Sequence, residues 1–175
     1  MKRRLFFVLF VFSMSITCVN AQKLITGTFA LPSSERYLAV AWDFSEAVIE
    51  KKYSEKEWEN INGREAWANA KAEALGYIIN EINGKMKKSR LICISTDSDI
   101  KPTYTLYIHP LTLNRKGDNK SLYILKETAS GREVGRAKRS GDGGHFGSLA
   151  NLLFDGYEEA ARDIGGFLAK KNKLK

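Results

Sequence analysis

The chain has 175 residues, of which 43% are hydrophobic and 27% are charged. This balance excludes a disordered tail, a collagen-like chain and a small protein that depends on disulfide bonds. The 28 Lys and Arg residues outnumber the 20 Asp and Glu residues, which gives a net charge of +8 at pH 7. An excess of this sign favours acidic or anionic partners over basic ones.

The first 21 residues have the pattern of a secretory signal peptide. Three basic residues precede an apolar run over residues 5–12, and Val19 and Ala21 are small residues at a signal-peptidase site. We expect cleavage after Ala21, so that residues 22–175 form a single α+β domain. Lipid attachment at Cys18 is the alternative, but the residues before Cys18 fit that kind of site poorly.

The segment after residue 21 contains no apolar stretch near the roughly 18 to 20 residues that span a bilayer. We therefore expect a mature chain with no transmembrane segment, located in the periplasm, associated with the envelope, or secreted. Cys93 is the one cysteine left in this segment, so no internal disulfide bond can form. Its neighbours Ile92 and Ile94 indicate a small core residue.

The first half of this segment alternates between strand and helix patterns. Residues 36–45 carry apolar side chains at every second position, which predicts a half-buried strand. Ser54 and Glu57 have the spacing of a capping box, so a short helix is expected to begin there and to end near Gly63. Apolar residues then recur every three or four positions over residues 65–88, which predicts a long amphipathic helix.

The second half predicts a run of strands followed by another long helix. Residues 90–96 are apolar and β-branched, as in an interior strand, and residues 103–113 alternate again. Two turns separate the further strands expected over residues 121–128 and 132–139, and a second long helix is expected from residue 149 to 168. Residues 24–31 are expected to add an edge strand.

This order of elements predicts an α+β fold, a two-layer sandwich with both long helices on one face of the sheet. The sheet is expected to have four or five strands and to be mainly antiparallel. Gly156 and Ala160 lie on one stripe of the second helix, which indicates close approach of that helix to the sheet. For Gly165 and Gly166 the alternative is that they end or bend the helix.

The glycine-rich segment from Gly141 to Ser148 is the most unusual part of the sequence. It lacks the spacing of a dinucleotide fingerprint, of a phosphate loop and of a nucleophile elbow. His145, with Asp142 and Ser148, remains as a candidate catalytic set for a small hydrolase. The structural alternative is a turn in which the glycines permit positive φ and Ser148 caps the following helix.

The basic strand is the main candidate for binding. Arg132, Arg136, Lys138 and Arg139 form it, and Trp58 on the short helix is expected to be an exposed contact. Such a strand suits an envelope protein or an anionic glycan or lipid surface. The alternative is an edge strand whose charge prevents pairing with another chain, with homodimerisation through a sheet edge or face also open.

Other site classes find little support in the sequence. The dispersed positions of His109, His145 and Cys93 predict no metal site, and no cofactor is expected. His109 is expected at the surface. Asp43 with Glu46, or Glu158 with Glu159, is a carboxylate pair of the kind used in sugar hydrolysis, and we expect both pairs to be solvated. No nucleic-acid-binding motif is present, so nucleic acid is not expected as a partner.

The order of elements, together with the segment from Gly144 to Tyr157, resembles small exported envelope α+β domains of uncharacterised function in Gram-negative bacteria. The resemblance implies a similar layout and carries over no catalytic residues. The leading hypothesis is therefore a non-enzymatic exported binding or assembly module of the cell envelope. The alternative hypothesis is a small secreted hydrolase that uses His145, Asp142 and Ser148.

Overall fold

The computed structural model describes residues 24–173. The expected signal peptide, its cleavage site and Cys18 lie outside the described residues. The elements are β1 (Leu24–Gly27), β2 (Tyr37–Trp42), β3 (Val48–Ile49), α1 (Glu55–Asn62), α2 (Arg64–Lys85), β4 (Ile92–Ser95), β5 (Tyr104–Leu113), β6 (Asn119–Glu127), β7 (Glu133–Gly141) and α3 (Leu149–Lys171). None of the helices in this part of the chain is both long and apolar enough to cross a membrane.

The seven strands form one mixed sheet in the order β1-β7-β6-β5-β2-β4, with β3 beside β5. The expectation of four or five mainly antiparallel strands is therefore only partly met. The pairs β5–β6 and β6–β7 are antiparallel and are joined by short turns, and β1 also pairs with β7 in the antiparallel direction. The pairs β2–β4, β2–β5 and β3–β5 are parallel. The crossover through α1 and α2 brings β4 back beside β2 in the same direction.

Both long helices lie on one face of the sheet. Trp42 of β2 shows this, because its Nε1 donates to the carbonyl of Lys71 in α2 at 2.9 Å and its ring lies 5.0 Å from the ring of Tyr157 in α3. On the same face, the hydroxyl of Ser121 in β6 lies 3.0 Å from the hydroxyl of Tyr157. The core forms between this face and the helices.

The two long helices run parallel to each other. The ring of Tyr77 in α2 lies 5.4 Å from the ring of Phe154 in α3, and further along both helices Glu81 forms an ion pair with Arg162 at 2.9 Å. Because the contacts advance in the same direction along both chains, the C-terminal ends of α2 and α3 lie at the same end of the molecule.

The short helix α1 begins as its capping box predicts, but Trp58 is not exposed. The Ser54 side chain accepts from the Glu57 N–H, and the Glu57 carboxylate accepts from the Ser54 N–H at 2.8 Å. Trp58 is only 4% exposed, and its ring lies 6.5 Å from the ring of Trp67 in α2. The expectation of an exposed aromatic contact is wrong, because α1 folds back onto α2 and carries Trp58 into the core.

The strand around Cys93 is at the edge of the sheet and not in its interior. β4 pairs with β2 alone. Burial explains the apolar residues on only one face of β4. Cys93 is buried, at 2% exposure, whereas Ile92 on the other face is 51% exposed. Burial raises the pKa of the Cys93 thiol to about 12, which suits the predicted role of a small core residue.

The glycines of α3 allow close approach, as expected. A Cβ at Gly156 would lie 1.9 Å from the carbonyl oxygen of Gly117, in the turn between β5 and β6. The buried side chain of Asn119 donates to the Gly156 carbonyl at 2.8 Å and so ties the helix to the sheet. α3 continues past Gly165, where a Cβ would lie 2.6 Å from the carbonyl oxygen of Ile82, so this glycine permits contact between helices and does not end α3.

Candidate functional site

The face of the sheet opposite the helices, called here the open face, is the first candidate surface. Successive strand residues point to opposite faces, so the residues that alternate with the core-facing residues along β5, β6 and β7 lie on it. No helix of residues 24–173 covers it. Its side chains are Tyr107, Leu122, Ile124, Lys120, Lys126, Arg136 and Lys138.

Apolar side chains occupy the centre of the open face and cations border them. Tyr107 lies opposite Ile124, and Leu122 lies opposite Lys138 on the next strand. The ammonium group of Lys126 lies 5.1 Å from the centre of the Tyr107 ring. An apolar centre with a charged border is the arrangement found at protein–protein interfaces.

His109 also belongs to this face, and the expectation that it is a surface residue is wrong. It is 5% exposed, because the chain that follows β2 folds over it. Its Nδ1 lies 3.1 Å from Asp43 Oδ2, and its Nε2 lies 3.5 Å from Glu46 Oε2. The carboxylates named as a solvated pair therefore converge on one imidazole, although the Glu46 side chain is still 77% exposed.

Asp43 is held as a carboxylate by its neighbours. Partial burial favours the neutral acid, but hydrogen bonds from Ser45 and the nearby His109 outweigh it, so the pKa of Asp43 lies below its ordinary value. The Ser45 hydroxyl donates to Asp43 Oδ1 at 2.6 Å. Ser45, Asp43 and His109 therefore form a hydrogen-bonded group around a charged carboxylate at the end of β2.

Replacing Asp43 by asparagine is expected to destabilise the protein by about 1 kcal/mol at pH 7. A lowered folded-state pKa stabilises the folded protein above the unfolded pKa, near 4, and that stabilisation is lost as the pH falls through the folded pKa. Urea unfolding of both proteins between neutral and acid pH should show the difference shrinking. Asp99→Asn, at an exposed position, is the control, and a difference independent of pH would contradict the prediction.

The four cations of the basic strand do not form one surface, because successive residues of β7 point to opposite faces of the sheet. Arg136 and Lys138 lie on the open face, and Arg136 forms an ion pair with Glu133 at 2.6 Å. Arg132, at the hairpin turn, has its Nε 3.4 Å from Glu127 Oε2. Lys138 is exposed.

Arg139 points the other way, towards the helices. Its side chain is only 10% exposed, and its Nε lies 3.6 Å from Asp163 Oδ2 of α3. Burial is the main influence on this guanidinium and lowers its pKa, against the opposing effect of Asp163. Arg139 therefore joins the sheet to α3 and does not contribute to the open face.

The glycine-rich loop packs closely against the turn between β5 and β6. The Gly143 N–H donates to Asp118 Oδ1 at 2.6 Å, which is the main reason that the pKa of Asp118 is lowered. A Cβ at Gly143 would lie 1.8 Å from the carbonyl oxygen of Lys116. Close packing explains this glycine, whereas Gly147, with φ +131°, has the positive φ that the turn interpretation predicts.

The structure gives no hydrogen bond or ion pair among the three candidate catalytic residues, all of which it describes. Ser148 caps α3, with its Oγ accepting from the Asn151 N–H at 3.2 Å. Asp142 and His145 are exposed. The helix-capping role predicted for Ser148 is confirmed.

Sequence reasoning missed two features of the surface. The ring of Phe146, inside the glycine-rich loop, is 91% exposed. The group of Asp43, Glu46 and His109 was missed because β2 and β5 become neighbours only through a parallel pairing. The alternation of β5 alone does place His109 on the same face as Tyr107, which was the one signal available.

No protein-family model matches this chain, and no curated protein does. Among solved structures, it is similar to a PelC dodecamer from Paraburkholderia phytofirmans, with a TM-score of 0.43 and 12% identity over 80% of this chain and 95% of that chain. It is also similar to an uncharacterized protein, with a TM-score of 0.37 and 12% identity over 78% of this chain and 94% of that chain. Both are weak resemblances at the level of the fold.

Proposed function

We propose that this protein is a non-enzymatic binding module of the cell envelope that docks an acidic protein partner on its open face. The observation that carries the proposal is the one-sided helix layer, which leaves the partly exposed Tyr107 and Leu122 and the exposed Lys120 and Lys138 of that face without a helix over them. The exported location is part of the proposal and depends on residues 1–21, which lie outside the described residues.

The chemistry of the open face supports a protein partner with acidic residues around an apolar patch. Tyr107 and Leu122 are partly exposed and supply apolar area that is worth removing from water, whereas Ile124 is already buried, at 5% exposure. Lys120 and Lys138 are exposed cations on the border, and the structure gives neither of them a carboxylate partner. Complementary charge at such a border guides association and excludes basic proteins.

The test is site-specific photocrosslinking in intact cells. A benzophenone side chain in place of Leu122 is expected to capture one partner and give one adduct of defined mass. The same group in place of Asn80, an exposed residue of α2, is the control and should give no such adduct.

Charge reversal shows whether the captured partner uses the basic border. Lys120→Glu with Lys138→Glu should reduce the adduct about tenfold or more, because like charges placed opposite each other cost several kcal/mol. Lys51→Glu with Lys56→Glu makes the same charge change on another surface and should leave the adduct unchanged. An adduct made only of two copies of this chain, or equal capture at positions 122 and 80, would contradict the proposal.

A further inference from the structure

A second basic surface lies at the end of the molecule where α2 and α3 both finish. A groove of about 680 Å³ opens there between the two helix ends. We call it the lysine groove. Its lining consists of Lys85, Lys87, Lys88, Ala169, Lys170 and Lys173.

The positive charge of the lysine groove is unopposed. None of its five lysines forms an ion pair with a carboxylate of the described part of the chain. The sequence has no Asp or Glu between Glu81 and Asp97, and none after Asp163. The groove is therefore cationic because acidic residues are absent from both segments that form it.

Stabilisation of the helix ends accounts for only part of this charge. Carbonyl groups at a helix C-terminus attract cations within the last turn, which suits Lys85 and Lys170. Lys87, Lys88 and Lys173 lie beyond the helix ends, where this attraction is weak. These lysines remain available for an external anion.

The backbone holds the two lysine segments side by side. The Ser89 hydroxyl donates to the carbonyl of Asn172 at 3.0 Å, and the Arg90 N–H donates to the same carbonyl at 3.2 Å. Ser89 and Lys173 also form an antiparallel bridge. Backbone contacts therefore join the two segments, and the five lysine side chains between them are exposed.

We propose that the lysine groove docks the protein onto the phosphate groups of an anionic lipid surface. Ammonium groups on flexible stems act as separate point charges, which suits many mobile phosphates better than one planar ligand that an Arg fork would grip. A cluster of four to eight basic residues has the size that attracts proteins to anionic bilayers. This surface is separate from the open face, and so is its proposed ligand.

The test is flotation of the protein with lipid vesicles. Vesicles of phosphatidylcholine with about one third phosphatidylglycerol are compared with vesicles of phosphatidylcholine alone. We expect the protein to float with the anionic vesicles at low ionic strength and to be released at about 0.5 M salt, where charges are screened within a few ångströms. Flotation with both kinds of vesicle, or flotation unaffected by salt, would overturn the proposal.

A matched pair of variants locates the effect. Lys87, Lys88, Lys170 and Lys173 are replaced together by glutamine, which should weaken binding to anionic vesicles about 100-fold. The control replaces four exposed lysines outside the groove by glutamine and should bind like the unmodified protein. These control residues are Lys51, Lys56, Lys101 and Lys116.

Equal losses in the two variants would mean that net charge and not the groove drives binding, which would overturn the proposal. Thermal unfolding of both variants is measured to check that they remain folded. Titration with inorganic phosphate is the second arm: saturable binding of free phosphate without vesicle binding would replace the lipid surface by a soluble ligand. The photocrosslinking at position 122 tests the open face, which is a different surface. Failure of the proposal for the lysine groove can therefore be distinguished from failure of the proposed function.

Discussion

Replacing Gly156 by alanine is expected to destabilise the protein by about 3 kcal/mol or more. The new Cβ would lie 1.9 Å from the carbonyl oxygen of Gly117, and 3.1 Å from the Asn119 amide nitrogen. The first of these is backbone, so no side-chain rotation can relieve the overlap. α3 would have to move away from the sheet, and the hydrogen bond from Asn119 to the Gly156 carbonyl would be lost.

Gly166, in the same helix, provides the matched control. Nothing lies within 4 Å of a Cβ built there, so Gly166→Ala should stabilise the protein by up to about 1 kcal/mol through helix propensity alone. Urea unfolding followed by circular dichroism measures both changes. Similar free energies for the two variants would show that α3 does not depend on close contact at Gly156.

Replacing Asn172 by alanine is expected to destabilise the protein by about 3 kcal/mol. This residue, 0% exposed, caps α3 and holds the segment before β2. Its Nδ2 donates to the carbonyls of Phe29 at 2.9 Å and Leu168 at 3.0 Å, and its Oδ1 accepts from the Leu31 N–H at 2.8 Å. The backbone N–H of residue 172 still donates to the Leu168 carbonyl, but alanine leaves the Phe29 carbonyl and the Leu31 N–H without their partner, which costs more than the net value of the bonds.

The effect should be local as well as global. Hydrogen exchange of the Leu31 amide is expected to accelerate in Asn172→Ala more than exchange in the middle of β6, because the segment before β2 loses its anchor. Asn80→Ala, at an exposed position of α2, should change stability by no more than about 0.5 kcal/mol. Unchanged exchange at Leu31 would mean that this segment is held by other contacts.

The two proposed binding surfaces lie on different parts of the molecule. The open face is a property of the sheet, whereas the lysine groove lies where the helices end. No residue belongs to both surfaces, so the two proposals assign an acidic protein and an anionic bilayer to different parts of the molecule. A role in joining a protein partner to a lipid surface can therefore be tested by combining the charge-reversal variants of the open face with the glutamine variants of the lysine groove.

The sequence alone determined the local elements of this protein. Periodicity predicted α2 and α3, and the capping box between Ser54 and Glu57 predicted where α1 begins. Alternation in residues 103–113 predicted the strand β5. These features depend on interactions within a few residues, which the order of side chains encodes directly.

The tertiary structure alone decided which distant residues meet. The parallel pairings of β2 bring Asp43 to His109, and the folding of α1 onto α2 buries Trp58. The lysine groove needs the two long helices to be parallel, since antiparallel helices would place its two halves at opposite ends. Pairing direction and helix packing depend on contacts between residues far apart in the chain, and no local pattern of side chains records them.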